Sequence, residues 1–366
     1  MPVFSANLFF HYKNKHSVAY YLNGVNQLSR TLKISQKLAK NPEIVTHFKN
    51  LSFIDDMKSI KFKTEFIAFE KNISDEILFF FCFFFAESIK ILFNVEYLVF
   101  YSFLDAITKK RKSIEDLFLF IGKIDAAIST ASLKSGNLKI CIPTFNDINE
   151  LKVNGIYHPL IDNCITNDTH LLNKSMLLTG SNMSGKTTFI RTVAINSILA
   201  QTLNLCFAQS YTAPFYKIHS SIRITDDLLE NTSYYLQEVL TIKELIEASK
   251  ATTPCLFVLD EIFKGTTNTI ERVSGGKAIL SYLNKKNHTV LVSTHDIELT
   301  ELLVEDNYDL YHFSEEIEEN NLFFDHKIKQ GKLKTRNAIK ILDLYKYPSE
   351  IIKEAKEIEA NYFNRE

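Results

Sequence analysis

The order of apolar and polar positions divides the chain into two regions. Residues 1–137 read as mostly helical. Val25 to Leu38 is a long mixed run with no glycine or proline inside it, and Asn41-Pro42-Glu43 predicts a break followed by a new helix start. Asp55 to Ile73 and Asp75 to Ser132 continue the pattern, with a charged turn at Lys109-Lys110-Arg111-Lys112. Gly122 falls inside the last helix, where glycine is tolerated at a cost of about 1 kcal/mol. After Ser135-Gly136-Asn137 the character changes to short β-rich runs: Leu138 to Ile142, Leu151 to Ile156, Met176 to Thr179, Cys255 to Leu259 and Thr289 to Ser293. The later runs are separated by helical segments. This alternation predicts an α/β domain with a mostly parallel sheet covered on both faces, preceded by an all-helical domain.

One part of the helical region is unusually apolar. Ile77 to Ala86 is mostly phenylalanine, and Ile91 to Leu104 follows at once. Glu87, Lys90, Asn94 and Glu96 interrupt the two stretches, and the longest uncharged run falls short of the roughly 20 residues a membrane span needs. Buried helical core is the preferred reading, with membrane association as the alternative. Twenty-nine phenylalanines without a tryptophan are a compositional habit and not an aromatic belt. Lysine and arginine number 42 against 43 acids, so no global charge draws the chain to nucleic acid. Any DNA contact must come from local patches or from enclosure by a dimer. The basic turn at 109–112 can touch a phosphate backbone, although such runs are more often solvated faces. The five cysteines, Cys82, Cys141, Cys164, Cys206 and Cys255, lack metal-ligand or redox spacing, and the N-terminus carries no signal-peptide pattern. Both point to a reducing, cytoplasmic setting.

The candidate chemistry lies in the second region. Thr179-Gly180-Ser181-Asn182-Met183-Ser184-Gly185-Lys186-Thr187-Thr188 contains G-x-x-x-x-G-K-[ST], preceded by an apolar run and followed by a helix-compatible one. Glycines at 180 and 185 let successive N–H groups face phosphate oxygens. The following helix start adds favourable partial charge. Lys186 is placed for the β- and γ-phosphates of ATP, and the Thr187 hydroxyl for Mg2+. About 75 residues on, Leu256-Phe257-Val258-Leu259 runs into Asp260-Glu261. Asp260 can hold the magnesium shell, and Glu261 can polarise the attacking water. Leu291-Val292-Ser293-Thr294-His295-Asp296 is another strand ending in polar groups. Alone, a histidine there is more often a structural hydrogen-bonder. Beside the other two motifs, His295 reads as sensing the γ-phosphate or steadying the water.

These motifs resemble those of the MutS family of DNA mismatch-repair ATPases, in a short, divergent form. Thr179 to Thr188 matches the family pattern T-G-x-N-M-x-G-K-[ST]-T, and Tyr157-His158-Pro159-Leu160 resembles the element that opens the ATPase domain. Asn167-Asp168 resembles its nucleotide-side loop, which makes Asn167 a candidate nucleotide contact. Asp226-Asp227-Leu228 and Ser233 to Glu238 resemble the segment whose serine reaches the other subunit's γ-phosphate, so Ser233 is expected to act in trans. Asp260 to Thr266 resembles D-E-x-x-x-G-T, and Thr294-His295 the T-H switch. The resemblance implies a P-loop NTPase of the ABC-type head, binding ATP and Mg2+ between two copies. The resulting homodimer would grip or release double-stranded DNA, with other repair proteins as possible partners and a membrane not expected as one. The implied domains are a truncated, lever-like helical part at 1–137, the ATPase domain at 138–345 and a helical tail at 346–366.

Departures from the family pattern carry their own expectations. Residues 1–137 read as helices and not as the family's mismatch-reading N-terminal domain, and its Phe-x-Glu motif is not seen in a suitable place, which puts mismatch recognition in doubt. Cys164 falls where relatives place an aromatic against adenine, and Lys340, after a hairpin-like Phe323 to Thr335, where they have a second base contact. That predicts weaker adenine stacking unless another ring substitutes. Asn268 and Thr269 leave the family pattern, with Glu271 and Arg272 expected to make different cross-dimer contacts. Ser274-Gly275-Gly276 follows Asp260-Glu261, the wrong order for a transporter head. The rival readings are an ATP-binding structural or regulatory module, and an ATPase acting on branched DNA or a protein or membrane partner.

Overall fold

The computed structural model describes residues 24, 27–48, 50–58, 60, 95–136, 139–181, 183–222, 234–265, 268–285, 287–318, 321–333 and 338–363. The chain divides into two compact units, residues 1–132 and 133–366.

Among the described residues of the first unit, the regular elements are all helices. Residues 27–38 are helical, followed by α1 (Pro42–Thr46), α2 (Ser52–Asp56), α3 (Val95–Lys109) and α4 (Arg111–Ser135). Asn41 starts α1 as expected: its side chain accepts the Glu43 N–H at 3.0 Å, with Pro42 in the first turn. A small core joins Leu32, Phe53, Met57, Ile60, Phe103 and Leu117. Phe120 closes it, meeting Phe48 edge-on at 4.7 Å. The basic turn is stitched locally. Lys109 pairs with Asp105 at 2.8 Å, Arg111 with Glu115 at 3.0 Å, and Lys110 donates to the Asp56 carbonyl. The phenylalanine run at 77–86 lies outside the described residues. Among the described residues, no helix is long and apolar enough to cross a membrane.

The second unit is α/β, with sheets of mixed topology. Its main sheet has six strands in the order β12-β9-β4-β8-β7-β6. They are β4 (Ser175–Thr179), β6 (Lys217–Ser221), β7 (Cys255–Asp260), β8 (Thr289–Ser293), β9 (Tyr308–His312) and β12 (Lys329–Gln330). All neighbours in it are parallel except β12 with β9. β4 and β8 are buried at every position, as a sheet covered on both faces requires. Alternation sorts their side chains. Met176, Leu178, Leu256 and Val258 pack with Phe189, Ile190 and Val193 of α5 (Lys186–Leu203). On the other face, Leu177, Phe257 and Val292 pack with α6 (Tyr234–Ala248) and α7 (Thr269–Leu283) through Ile242, Leu245, Leu280 and Leu283. A second, four-stranded sheet of order β1-β5-β2-β3 contains β1 (Thr144–Phe145), β2 (Glu150–Ile156), β3 (Asn167–Leu172) and β5 (Ser210–Ala213). β10 (Glu315–Glu318) and β11 (Asn321–Phe324) form a separate antiparallel hairpin. Short α8 (Leu299–Leu302) and the helices α9 (Ala338–Leu344) and α10 (Ser349–Phe363) complete the unit.

Two expectations are corrected here. The run Leu138 to Ile142 is not a strand among its described residues. Only Cys141 pairs, exchanging both backbone bonds with Cys206 at 2.9 Å. Pro143, which has no N–H to donate, follows directly. The expected hairpin at 323–335 is also displaced: the hairpin spans 315–324, and β12 joins the main sheet instead.

Candidate functional site

β4 delivers the chain to the glycine loop, and α5 leaves from it. Gly180 has φ +146, and a Cβ there would stand 2.8 Å from the Phe313 carbonyl, so only glycine fits. Gly185, at φ +117, opens α5. Met183 also adopts a left-handed conformation, φ +69, and is 84% exposed. Lys186 is only 6% exposed, and its ammonium donates to the carbonyls of Gly180 at 2.7 Å and Ser181 at 2.9 Å. Burial pushes the Lys186 pKa down, opposed by the charges of Glu261, Asp260 and Glu315. The Ser184 hydroxyl donates to the Ser181 carbonyl at 2.8 Å, and the Ser181 hydroxyl to Glu315 at 2.6 Å. Asn182 lies outside the described residues.

The parallel register of β7 and β8 brings the acids to the loop. Asp260 Oδ1 accepts from the hydroxyls of Thr187 at 2.7 Å and Ser293 at 2.6 Å. Thr187 and Asp260 are thus adjacent oxygen donors, suited to a hard cation. Among the described residues, no group of three or more His, Cys, Asp or Glu side chains forms a metal cage. A pair of protein oxygens fits Mg2+, which usually keeps waters and takes its remaining ligands from substrate phosphates.

Glu261 follows at φ +63, its N–H bonded to the Ser293 carbonyl at 3.0 Å. Its two carboxylate oxygens meet His295 Nε2 at 3.1 Å and Lys264 Nζ at 3.2 Å. The hydrogen bond from His295, reinforced by Lys264, holds the Glu261 carboxyl down to about 2 despite its burial. Behind this turn the buried carboxylate of Glu238 on α6 accepts the backbone N–H groups of Lys264 at 3.0 Å and Gly265 at 3.1 Å. Ser233 lies outside the described residues. Arg272, expected at a dimer contact, bonds Asp296 within the chain, its guanidinium donating at 2.9 and 2.6 Å. Asn268 has a local reason as well. It caps α7, accepting from Ile270 N at 3.0 Å.

Beside the loop opens a pocket of about 330 Å³, whose lining includes Ile161, Cys164, Phe189, Phe313 and His326 as well as Thr188. Cys164, expected near the base, borders this pocket. Lys340 does not: it belongs to α9 and takes no part in the lining. The ring that sequence reasoning missed is His326, at φ +49, stacked on Phe324 at 5.9 Å and hydrogen-bonded through Nδ1 to the Ser184 carbonyl at 3.0 Å. The available signal was the aromatic run Phe323-Phe324-Asp325-His326. Asn167 borders the pocket and clips this segment in place. Its amide donates to the His326 carbonyl at 3.0 Å and accepts from Ile328 N at 2.8 Å.

An α/β unit with a glycine loop between strand and helix, and an acid pair at the end of a neighbouring strand, is a P-loop NTPase-like domain. The chain matches MutS domain V over residues 176–362, and it belongs to the MutS family. It is similar to the DNA mismatch repair protein MutS of Oceanobacillus iheyensis, with 32% identity over 282 residues, covering 72% of this chain and 31% of that protein. The proteins of the same name from Listeria welshimeri and Aquifex pyrophilus are 30% and 29% identical over 276 residues, each match covering 72% of this chain and 32% of the relative. The chain therefore spans about a third of the length of these curated relatives.

Proposed function

We propose that the chain binds ATP with Mg2+ at residues 180–188 and hydrolyses it, as an ABC-type head that pairs with a second copy. The observation that carries this reading is the convergence of Thr187, Asp260 and the ionised Glu261 beside Lys186. Lys186 exchanges the carbonyls of Gly180 and Ser181 for phosphate oxygens, so its buried charge gains a charged partner. Thr187 and Asp260 would hold Mg2+, whose charge would offset that building on the phosphates. A carboxyl held to about 2 is a weak proton acceptor, so Glu261 orients and polarises the attacking water, with His295 beside it. The purine lies in the neighbouring pocket against Phe313 and His326, rings that offset the absence of one at Cys164. Ser233 acts across the dimer on the partner's nucleotide. Because relatives bear the name DNA mismatch repair protein, the ATP cycle is assigned to control of a grip on double-stranded DNA by the helical region.

Glu261→Gln tests the enzymatic claim. Turnover should fall by about 100-fold or more while ATP still binds in calorimetry. No hydrolysis by the unaltered protein under any magnesium or DNA condition would sink it.

A further inference from the structure

The turn that carries Glu261 is conformationally costly. Glu261 and Phe263, two non-glycine residues within three positions, both have positive φ, +63 and +57. Such backbones persist only where neighbours over-determine them, and they cluster at functional sites. Here one buried group holds two successive backbone N–H groups of the turn. Glu238 is 2% exposed, and its two oxygens accept the consecutive N–H groups of Lys264 and Gly265 at 3.0 and 3.1 Å. One helical turn earlier on α6, Tyr235 packs its ring against Phe263 at 6.4 Å. Gly275 of α7 makes room for the same ring: a Cβ there would meet Phe263 Cε2 at 2.9 Å. The residue whose backbone Glu238 grips, Lys264, places its ammonium 3.2 Å from the Glu261 carboxylate.

We propose that Glu238 is a positioning residue for Glu261, clamping the 261–265 turn so that the hydrolytic carboxylate is aimed by α6 without Glu238 touching the nucleotide. This rests on the reading of Glu261 as the water-polarising group. A helix that moves carries Glu238 with it, so α6 becomes a handle on hydrolysis that leaves the phosphate loop undisturbed.

Three variants of the full chain test this. In Glu238→Ala, hydrogen exchange at the amides of Lys264 and Gly265 should accelerate at least about tenfold, and turnover should fall by about 10- to 100-fold, with the ATP dissociation constant within about threefold of the original. Glu238→Gln keeps one carbonyl acceptor and should fall between the two on both readouts. Gly275→Ala, whose Cβ pushes on the Phe263 ring, should lower turnover in the same way. If Glu238→Ala does not fold, the other two decide. Unchanged turnover with the two amides deprotected overturns the proposal, as does a loss of ATP affinity that parallels the loss of turnover. An unaltered protein that turns over no ATP removes the enzymatic reading itself, a failure distinct from normal turnover in the variants.

Discussion

Glu261 is set by its own turn and by the end of β8: Lys264 and His295 meet its carboxylate, and the Ser293 carbonyl accepts its backbone N–H. Its folded pKa, about 2, lies below the ordinary carboxylate value. A depressed folded pKa contributes stability that is full above the unfolded value, about 4.3, and is lost as pH falls through the folded one. Urea melts of the protein and of Glu261→Gln should therefore differ by a constant amount near neutrality. The difference should shift in favour of the variant as pH falls from about 5 toward about 2. A gap that ignores pH would mean the carboxylate is not held by its cationic neighbours. The residues legible beforehand were those whose chemistry lies in contiguous sequence: the glycine loop, Asp260-Glu261 and Thr294-His295. His326 was not, because its place beside Ser184 depends on contacts 142 residues apart in sequence. Glu238 escaped for another reason: an acid on a helix reads as a solvated face until the fold buries it.

Among elements, the fully buried strands were the easiest to read. β4, β7 and β8 are short β-branched or leucine-rich runs, and each lies within a residue or two of its expected limits. Phe257, in the middle of β7, is 0% exposed and packs against His219 at 5.6 Å and His288 at 5.7 Å. Phe257→Ala should lower the unfolding free energy of the second unit by about 3–5 kcal/mol, read from a shift in denaturant midpoint. A loss under about 1 kcal/mol would show that the sheet collapses around the missing ring. Elements with little buried area were harder to read. Cys141 makes a single bridge where a strand was expected, and β12 is an antiparallel addition of two residues that no local pattern announces.

For the molecule as a whole, the change from helical to α/β character was visible in the order of apolar residues, but the arrangement of strands was not. Among the described residues, the two larger sheets, both mixed, arise from pairings between segments far apart in sequence, and the third is a local hairpin. The proposed dimer has a direct consequence for solution behaviour, because a residue acting in trans is inert in an isolated chain. Hydrolysis per chain should rise with protein concentration and then level off. A flat specific activity down to dilute protein would remove Ser233 from the mechanism. A net charge of -1 means that any DNA affinity arises from local basic groups, so it should weaken as salt is raised.

The exposed thioether of Met183 stands at the crest of the glycine loop, on a backbone already in a left-handed turn. Peroxide would convert it to a polar, bulkier sulfoxide at the rim of the proposed phosphate cradle, a change that sulfoxide reductases reverse. Oxidation would therefore change the loop through an accessible sulfur and leave Asp260 and Glu261 chemically unaltered.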